Sequence, residues 1–243
     1  EAGFEKIHHD ASMACADDGA LAEKTMAARA AELCAVAEGA TANPPAYIIG
    51  TEVPIPGGET DALNSISATR PEAVRRTYDL HAQAFKKRGL GAALSRVIAL
   101  VVQPGVDFDN ASVTLFDAAK ARDLTAAAEH IPGAAFEAHS TDYQTEPCLA
   151  DLVAGRFPIL KVGPELTFAY REAIFAMAAI EDQLAPQTRS NIIEVIDDVM
   201  NRDDRNWRPY VPAGGQQRIA KLFGLSDRVR YYWPNAEIAK AIE

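Results

Sequence analysis

The chain has 243 residues, 48% hydrophobic and 24% charged, with a formal net charge of −10 and a sequence pI of about 5.0. That is enough chain for one large domain with a full core, and the acidic balance argues against nucleic acid and anionic membrane as partners. It does not exclude an anionic sugar phosphate, which a local basic pocket or a helix N-terminus can hold.

In chain order, five short apolar runs each end in a cluster of polar residues, with helix-like stretches between them. EAGFEKIHHDAS reads as the end of a helix, with Gly3 at its C′ position, entering a strand at Lys6–Ser12. A domain seldom starts there, so residues preceding Glu1 are expected in the native protein. A helix over about Leu21–Glu38 follows, then a second strand at Tyr47–Val53 and a rigid VPIPGGET loop. Thr69–Arg88 reads as a helix with Thr69 as N-cap, Pro71 in the first turn and Gly89 ending it. The third run, Val97–Gly105, contains a strand over Val97–Gln103, apolar throughout as in a strand covered on both faces. Asp117–His130 reads as a helix, Phe136–Gln144 as the fourth strand, Glu146–Ala154 as a short helix and Ile159–Glu165 as the fifth strand. A long helix fills Glu165–Leu184; beyond Pro186 the rhythm changes to helices alone, at about Arg189–Asn201, Gln216–Phe223 and Ala236–Ile242. The alternation predicts an α/β fold with a parallel sheet or barrel over residues 1–185, and a helical appendage over 186–243. No apolar run approaches the roughly 20 residues that span a bilayer, and no signal-peptide pattern is read. Cys15, Cys34 and Cys148 lack metal-binding spacing and read as reduced thiols of a cytoplasmic protein.

Alternate residues of a strand share a face. One face then carries His8, Asp10 and Ser12, then Gly50 and Glu52, Val101 and Gln103, Glu137, His139 and Thr141, and finally Ile159, Lys161 and Gly163. Turned inward, these sets gather Asp10, Glu52, Gln103, His139 and Lys161 at the carboxyl mouth of the strands, where barrels keep their chemistry. Charged groups buried together must pair or bind something. Blander readings stand beside this one. His139 can be a hydrogen-bonded interior histidine, and Lys161 with Glu137 a structural ion pair; a Schiff-base role for Lys161 is the lesser alternative. His8 and His9 are adjacent, so a strand sends them to opposite faces. Gly57–Glu59 is a weak phosphate-loop signal, and no G-x-x-x-x-G-K-[ST] or G-x-G-x-x-G is present. Tyr231, Tyr232 and Trp233 read as a packing cluster.

Taken together, KIHHDASMACADD, YIIGTEVPIPGGE, VIALVVQPGVDFD, FEAHSTDYQT, ILKVGPELTFAYREAIFA and SDRVRYYWP resemble the non-catalytic subunit family of D-tagatose-1,6-bisphosphate aldolase, some members of which carry the label tagatose-6-phosphate kinase. The resemblance covers essentially the whole chain. It implies a TIM (β/α)8 barrel of which strands 4–8 are present here, earlier strands and a C-terminal helical portion lying outside. It implies a cytoplasmic, oligomeric subunit that supports a catalytic class II aldolase subunit in galactitol, N-acetylgalactosamine and tagatose catabolism. The family is similar in turn to the catalytic class II aldolases, which use zinc. By that likeness Asp10 and Ser12 sit at the strand-four mouth and Glu52 near the metal. His139 is the surviving metal ligand; Ser140, Thr141, Gly163 and Thr167 lie on the phosphate side. Where the catalytic enzymes carry a zinc-binding His, this chain has Gln103, a poor zinc ligand. The resemblance therefore offers zinc as a cofactor, and Gln103 argues for none in this subunit. A metal-dependent ketose-bisphosphate aldolase is the alternative activity. A tagatose-6-phosphate kinase is a third, without a nucleotide-binding motif to support it.

Overall fold

The computed structural model describes residues 3–51, 66–211 and 213–243. Glu52 and Gly57–Glu59 lie outside the described residues. In chain order the elements are β1 (Lys6–His8), α1 (Glu23–Ala40), β2 (Ala46–Ile49), α2 (Pro71–Lys87), α3 (Gly91–Leu94), β3 (Val97–Val102), β4 (Asp107–Phe108) and β5 (Val113–Thr114). Then come α4 (Arg122–Ala127), β6 (Ala135–Ala138), α5 (Glu146–Ala154), β7 (Ile159–Leu160), α6 (Glu165–Leu184), α7 (Ile192–Arg202), α8 (Gln217–Phe223) and α9 (Ala236–Ile242). They divide into two compact units. Among the described residues, the first holds 3–51, 66–106 and Leu115–Lys161; the second holds Asp107–Thr114 and Val162–Glu243.

The first unit is an α/β half-barrel. Its five strands run in the order β1-β2-β3-β6-β7, and every neighbouring pair is parallel. Spatial order follows chain order without reversal, so the sheet has no topological switch point of the doubly wound kind. The two faces differ, as strand alternation requires. Tyr47, Ile49, Leu100, Val102, Phe136 and Ala138 belong to one cluster with the buried residues of α1, α2, α4 and α5. Ile48, Ala99 and Val101 form a separate cluster on the opposite face, with Ile159 against it. Glu137 is in register with Val101 and Ile159 and so shares that second face. The sheet is strongly curled. β2 and β3 stand between β1 and β6, a separation of roughly 14 Å in a flat sheet at about 4.8 Å per strand. Yet His8 of β1 lies 3.2 Å from Glu137 of β6. Only a concave face brings them together. Gly50, just beyond β2, approaches the same face so closely that a Cβ there would lie 2.6 Å from Val101 Cβ.

The paired strands are shorter than the sequence predicts. Asp10, Ser12, Gln103, His139 and Lys161 all follow the last strand residue instead of lying within a strand. Thr69 does not cap α2. Arg70 holds the cap position without a side-chain hydrogen bond, while the Thr69 hydroxyl accepts from the Gln103 amide at 2.8 Å and its own N–H donates to Gln103 O at 2.8 Å. These two bonds tie the end of β3 to the chain entering α2. The helix expected over Asp117–His130 starts later, at Arg122, because the Asp117 carboxylate accepts from Ala119 and Lys120 N–H and holds a turn. α5 matches its expected bounds, opened by the Thr145 hydroxyl accepting from Cys148 N–H.

The second unit has its own core, including Phe175, Ile196, Met200, Trp207, Leu222 and Val229. Arg171 of α6 is fully buried, donating to Asp227 at 2.9 Å and to the carbonyls of Gly224 and Phe223. Tyr231 receives the guanidinium of Arg228, Tyr232 OH donates to Asp203 O, and Trp233 packs edge-on against Tyr170. No described helix is long and apolar enough to cross a membrane.

Candidate functional site

The concave face of the half-barrel is organised around one carboxylate. Glu137 is completely buried. Its Oε1 lies 2.7 Å from His139 Nε2, 3.2 Å from His8 Nδ1 and 3.8 Å from Lys161 Nζ; its Oε2 lies 3.7 Å from Lys6 Nζ. Burial alone would raise the carboxyl's pKa. The hydrogen bonds from His139 and His8 and the positive charge of Lys161 outweigh burial, and hold the carboxyl well below the usual range. Glu137 is therefore an anion and can only accept. The His8 and His139 rings meet edge to face with centroids 5.5 Å apart.

Around this centre, Asp10 Oδ1 accepts from the hydroxyl of Ser12 at 2.6 Å and from its N–H at 3.0 Å. Burial acts to raise the Asp10 pKa, but these bonds and the nearby His8 and His139 rings bring it below its ordinary value. Gln103 turns onto its own loop: its Oε1 accepts from Gly105 N–H at 2.8 Å and Val106 N–H at 2.9 Å. Thr141 is buried, and its hydroxyl and N–H both donate to Lys161 O, at 3.0 and 3.2 Å, extending the junction of β6 and β7. Ser140, between His139 and Thr141, has a left-handed backbone with φ of 54°, a conformation costing about 1 kcal/mol or more outside glycine and concentrated at functional sites. Gly163 and Thr167 belong to the second unit, where the Thr167 hydroxyl donates to Pro164 O at 2.9 Å.

A zinc site needs nitrogen, sulfur or oxygen ligands at about 2.0–2.3 Å in a tetrahedral arrangement. Among the described residues, His8, Glu137 and His139 are the group whose candidate ligand atoms all lie within 4.8 Å of one another. They do not fit zinc. Two ligands bonded at about 2.0–2.1 Å would stand roughly 3.3 Å apart, whereas His139 Nε2 and Glu137 Oε1 are at hydrogen-bond distance, 2.7 Å. Lys6 and Lys161 also place two ammonium groups within 4 Å of the same carboxylate, where they neutralise it and repel a second cation.

This arrangement can be set beside known proteins. Over residues 1–243 the chain matches the family described as D-tagatose-1,6-bisphosphate aldolase subunit GatZ/KbaZ-like. The chain belongs to this family. It is 49% identical over 249 residues to the D-tagatose-1,6-bisphosphate aldolase subunit GatZ of Klebsiella pneumoniae, and 49% over 250 residues to that of Salmonella typhimurium. Each match takes in 100% of this chain and 59% of the relative, so the chain spans little more than half of the curated GatZ proteins it matches. A crystal structure of a probable tagatose 6 phosphate kinase from Sinorhizobium meliloti superposes with a TM-score of 0.86 at 44% identity, over 99% of this chain and 59% of that one.

In this GatZ/KbaZ-like chain, two residues at the centre of the cluster were not singled out from sequence as site residues: Glu137 and His8. Parity places Glu137 on the right face. What parity cannot supply is the curl that carries β1 across to it. The signal was the acidic residue itself, a Glu inside an otherwise apolar strand, which a buried position tolerates only with partners.

Proposed function

We propose that the full-length protein is the non-catalytic subunit of a class II D-tagatose-1,6-bisphosphate aldolase, associating with the catalytic subunit and sustaining its activity and stability in the cytoplasm. On this reading the half-barrel corresponds to strands 4–8 of a TIM barrel. The observation that carries the proposal is Gln103. Where likeness to the catalytic class II aldolases expects a zinc-binding imidazole, this chain has a carboxamide committed to the loop amides of Gly105 and Val106. The names of relatives that match it end to end point the same way. A partner that binds only the folded catalytic chain raises that chain's stability by mass action.

We further propose a sugar phosphate as the ligand class at the strand ends of the first unit, with Ser140 and Thr141 on its phosphate side and Asp10, Ser12, Gln103 and Lys161 beside it. The ammonium groups of Lys6 and Lys161 support an anionic ligand there. The test is to express the catalytic subunit with and without the full-length protein. Higher activity and a longer half-life in its presence are expected; an unchanged half-life and activity end the proposal.

The alternative, a metal-dependent aldolase in its own right, draws on the imidazole of His139 at the strand ends. It predicts aldol cleavage by the full-length protein alone, abolished by chelator. The kinase title of the solved relative has no counterpart in a nucleotide-binding motif of this sequence.

A further inference from the structure

We infer that Glu137 is a positioning residue that fixes the His8 and His139 rings in opposite tautomers and leaves Nδ1 of His139 as the lone-pair atom of the site. The Glu137 carboxylate is buried and surrounded by the ammonium groups of Lys6 and Lys161 and by two imidazoles. A carboxylate has no proton to give, so each ring nitrogen facing it must carry one. For His139 that nitrogen is Nε2, at 2.7 Å; for His8 it is Nδ1, at 3.2 Å. In the neutral rings the lone pairs then fall on Nδ1 of His139 and Nε2 of His8.

The two lone pairs are not equivalent. His8 Nε2 is buried and has no hydrogen-bond partner among the described residues. His139 Nδ1 also makes no hydrogen bond among the described residues, but it is not one of the buried unpartnered atoms. It is the atom through which the ring can accept, from a ligand hydroxyl or any other donor. His81 gives an internal reference elsewhere in the first unit. Its Nδ1 faces the carbonyl of Thr77 at 2.8 Å, and a carbonyl also only accepts, so His81 must be protonated on Nδ1 like His8. His139 is thus set apart from both. A ring held in one tautomer by a buried carboxylate is the usual way a protein presets which nitrogen does the work. The inference does not depend on the partner-subunit proposal, because its test reads protons on rings and not the stability of another chain.

The test is long-range proton–nitrogen correlation on full-length protein labelled with 15N-histidine, at neutral pH. A His139→Gln variant assigns the His139 signals. The expected result is His139 protonated on Nε2, with a hydrogen-bonded proton slow to exchange, and His8 protonated on Nδ1. Glu137→Leu is expected to remove the protection of the His139 proton and to send His8 to the Nε2–H form that free imidazole favours. Glu137→Gln, which keeps the shape and one acceptor oxygen, is expected to restore the His139 pattern. A native His139 protonated on Nδ1 overturns the inference, as does equal protection of its Nε2 proton in the leucine variant. Should the leucine variant not fold, the native and glutamine spectra decide alone.

Discussion

His9 shows how one residue's surroundings set a property of the whole fold. It follows His8 but faces the other side of the sheet, stacked on Tyr47 at 4.8 Å and buried. Burial, then the neighbouring His8 and His81, push its pKa down to about 4. An unfolded histidine titrates near 6.5. Between those values the unfolded chain binds the proton and the folded one does not, so stability falls as pH drops through the window. The loss by pH 4 is about 3 kcal/mol from this residue. His81 is shifted in the same direction by burial and adds to it. His9→Leu is expected to flatten the dependence. The check is urea unfolding of both proteins from pH 7 to pH 4; equal losses in both would exclude His9 as a cause.

At the scale of elements, the pairing of α6 with the segment around Asp227 holds the second unit together. Arg171 donates to Asp227 and to two carbonyls, and its guanidinium lies 4.5 Å from the Phe168 ring. Asp227 sits at φ of 42°, and burial raises its pKa while Thr167 and Arg171 hold it down. Arg171→Met leaves that carboxyl buried without its cation, at an expected cost of about 3–5 kcal/mol. Adding Asp227→Asn removes the stranded charge and should recover part of the loss, since Asn also tolerates the left-handed backbone. Denaturant midpoints of the single and double variants measure both; a double variant no better than the single would show that the charge is not what matters.

The elements also show what could be read in advance. α5, α6 and α9 match their expected bounds, because a helix announces itself over several turns and its ends carry caps such as Thr145 or Asn235. Strand ends were overextended. Side-chain parity continues past the last ladder hydrogen bond, so Asp10, His139 and Lys161 look like strand residues when they are the first residues of loops. The hairpin of β4 and β5 was missed, since two-residue strands give no alternation. Its one local sign is Asp109, whose carboxylate accepts from Ala111 and Ser112 N–H. The facing of the polar residues was legible from period two; their assembly around Glu137 was not, because it comes from curvature spanning strands far apart in sequence.

For the molecule as a whole, the sheet of the first unit sets a gradient of protection. β3 is paired on both sides and almost wholly buried, whereas β1 and β7 are short and, among the described residues, lie at the two edges. Local opening follows buried contacts and hydrogen bonds. Amides of Ala99–Val102 and Phe136–Ala138 are expected to exchange slowest, and those of Lys6–His8 and Ile159–Leu160 faster. Hydrogen exchange read by mass spectrometry would refute this if the edge strands proved as slow as the centre.

The near-collision of Gly50 with Val101 couples two positions on neighbouring strands. The atom a methyl group at 50 would strike first is Val101 Cβ, which every residue but glycine carries, with the Val101 backbone N 3.2 Å away, so trimming the valine to alanine makes no room for it. Position 101 can therefore drift among small and branched side chains while position 50 stays glycine. An engineer wishing to widen the interior can trim the valine but has to leave the glycine alone.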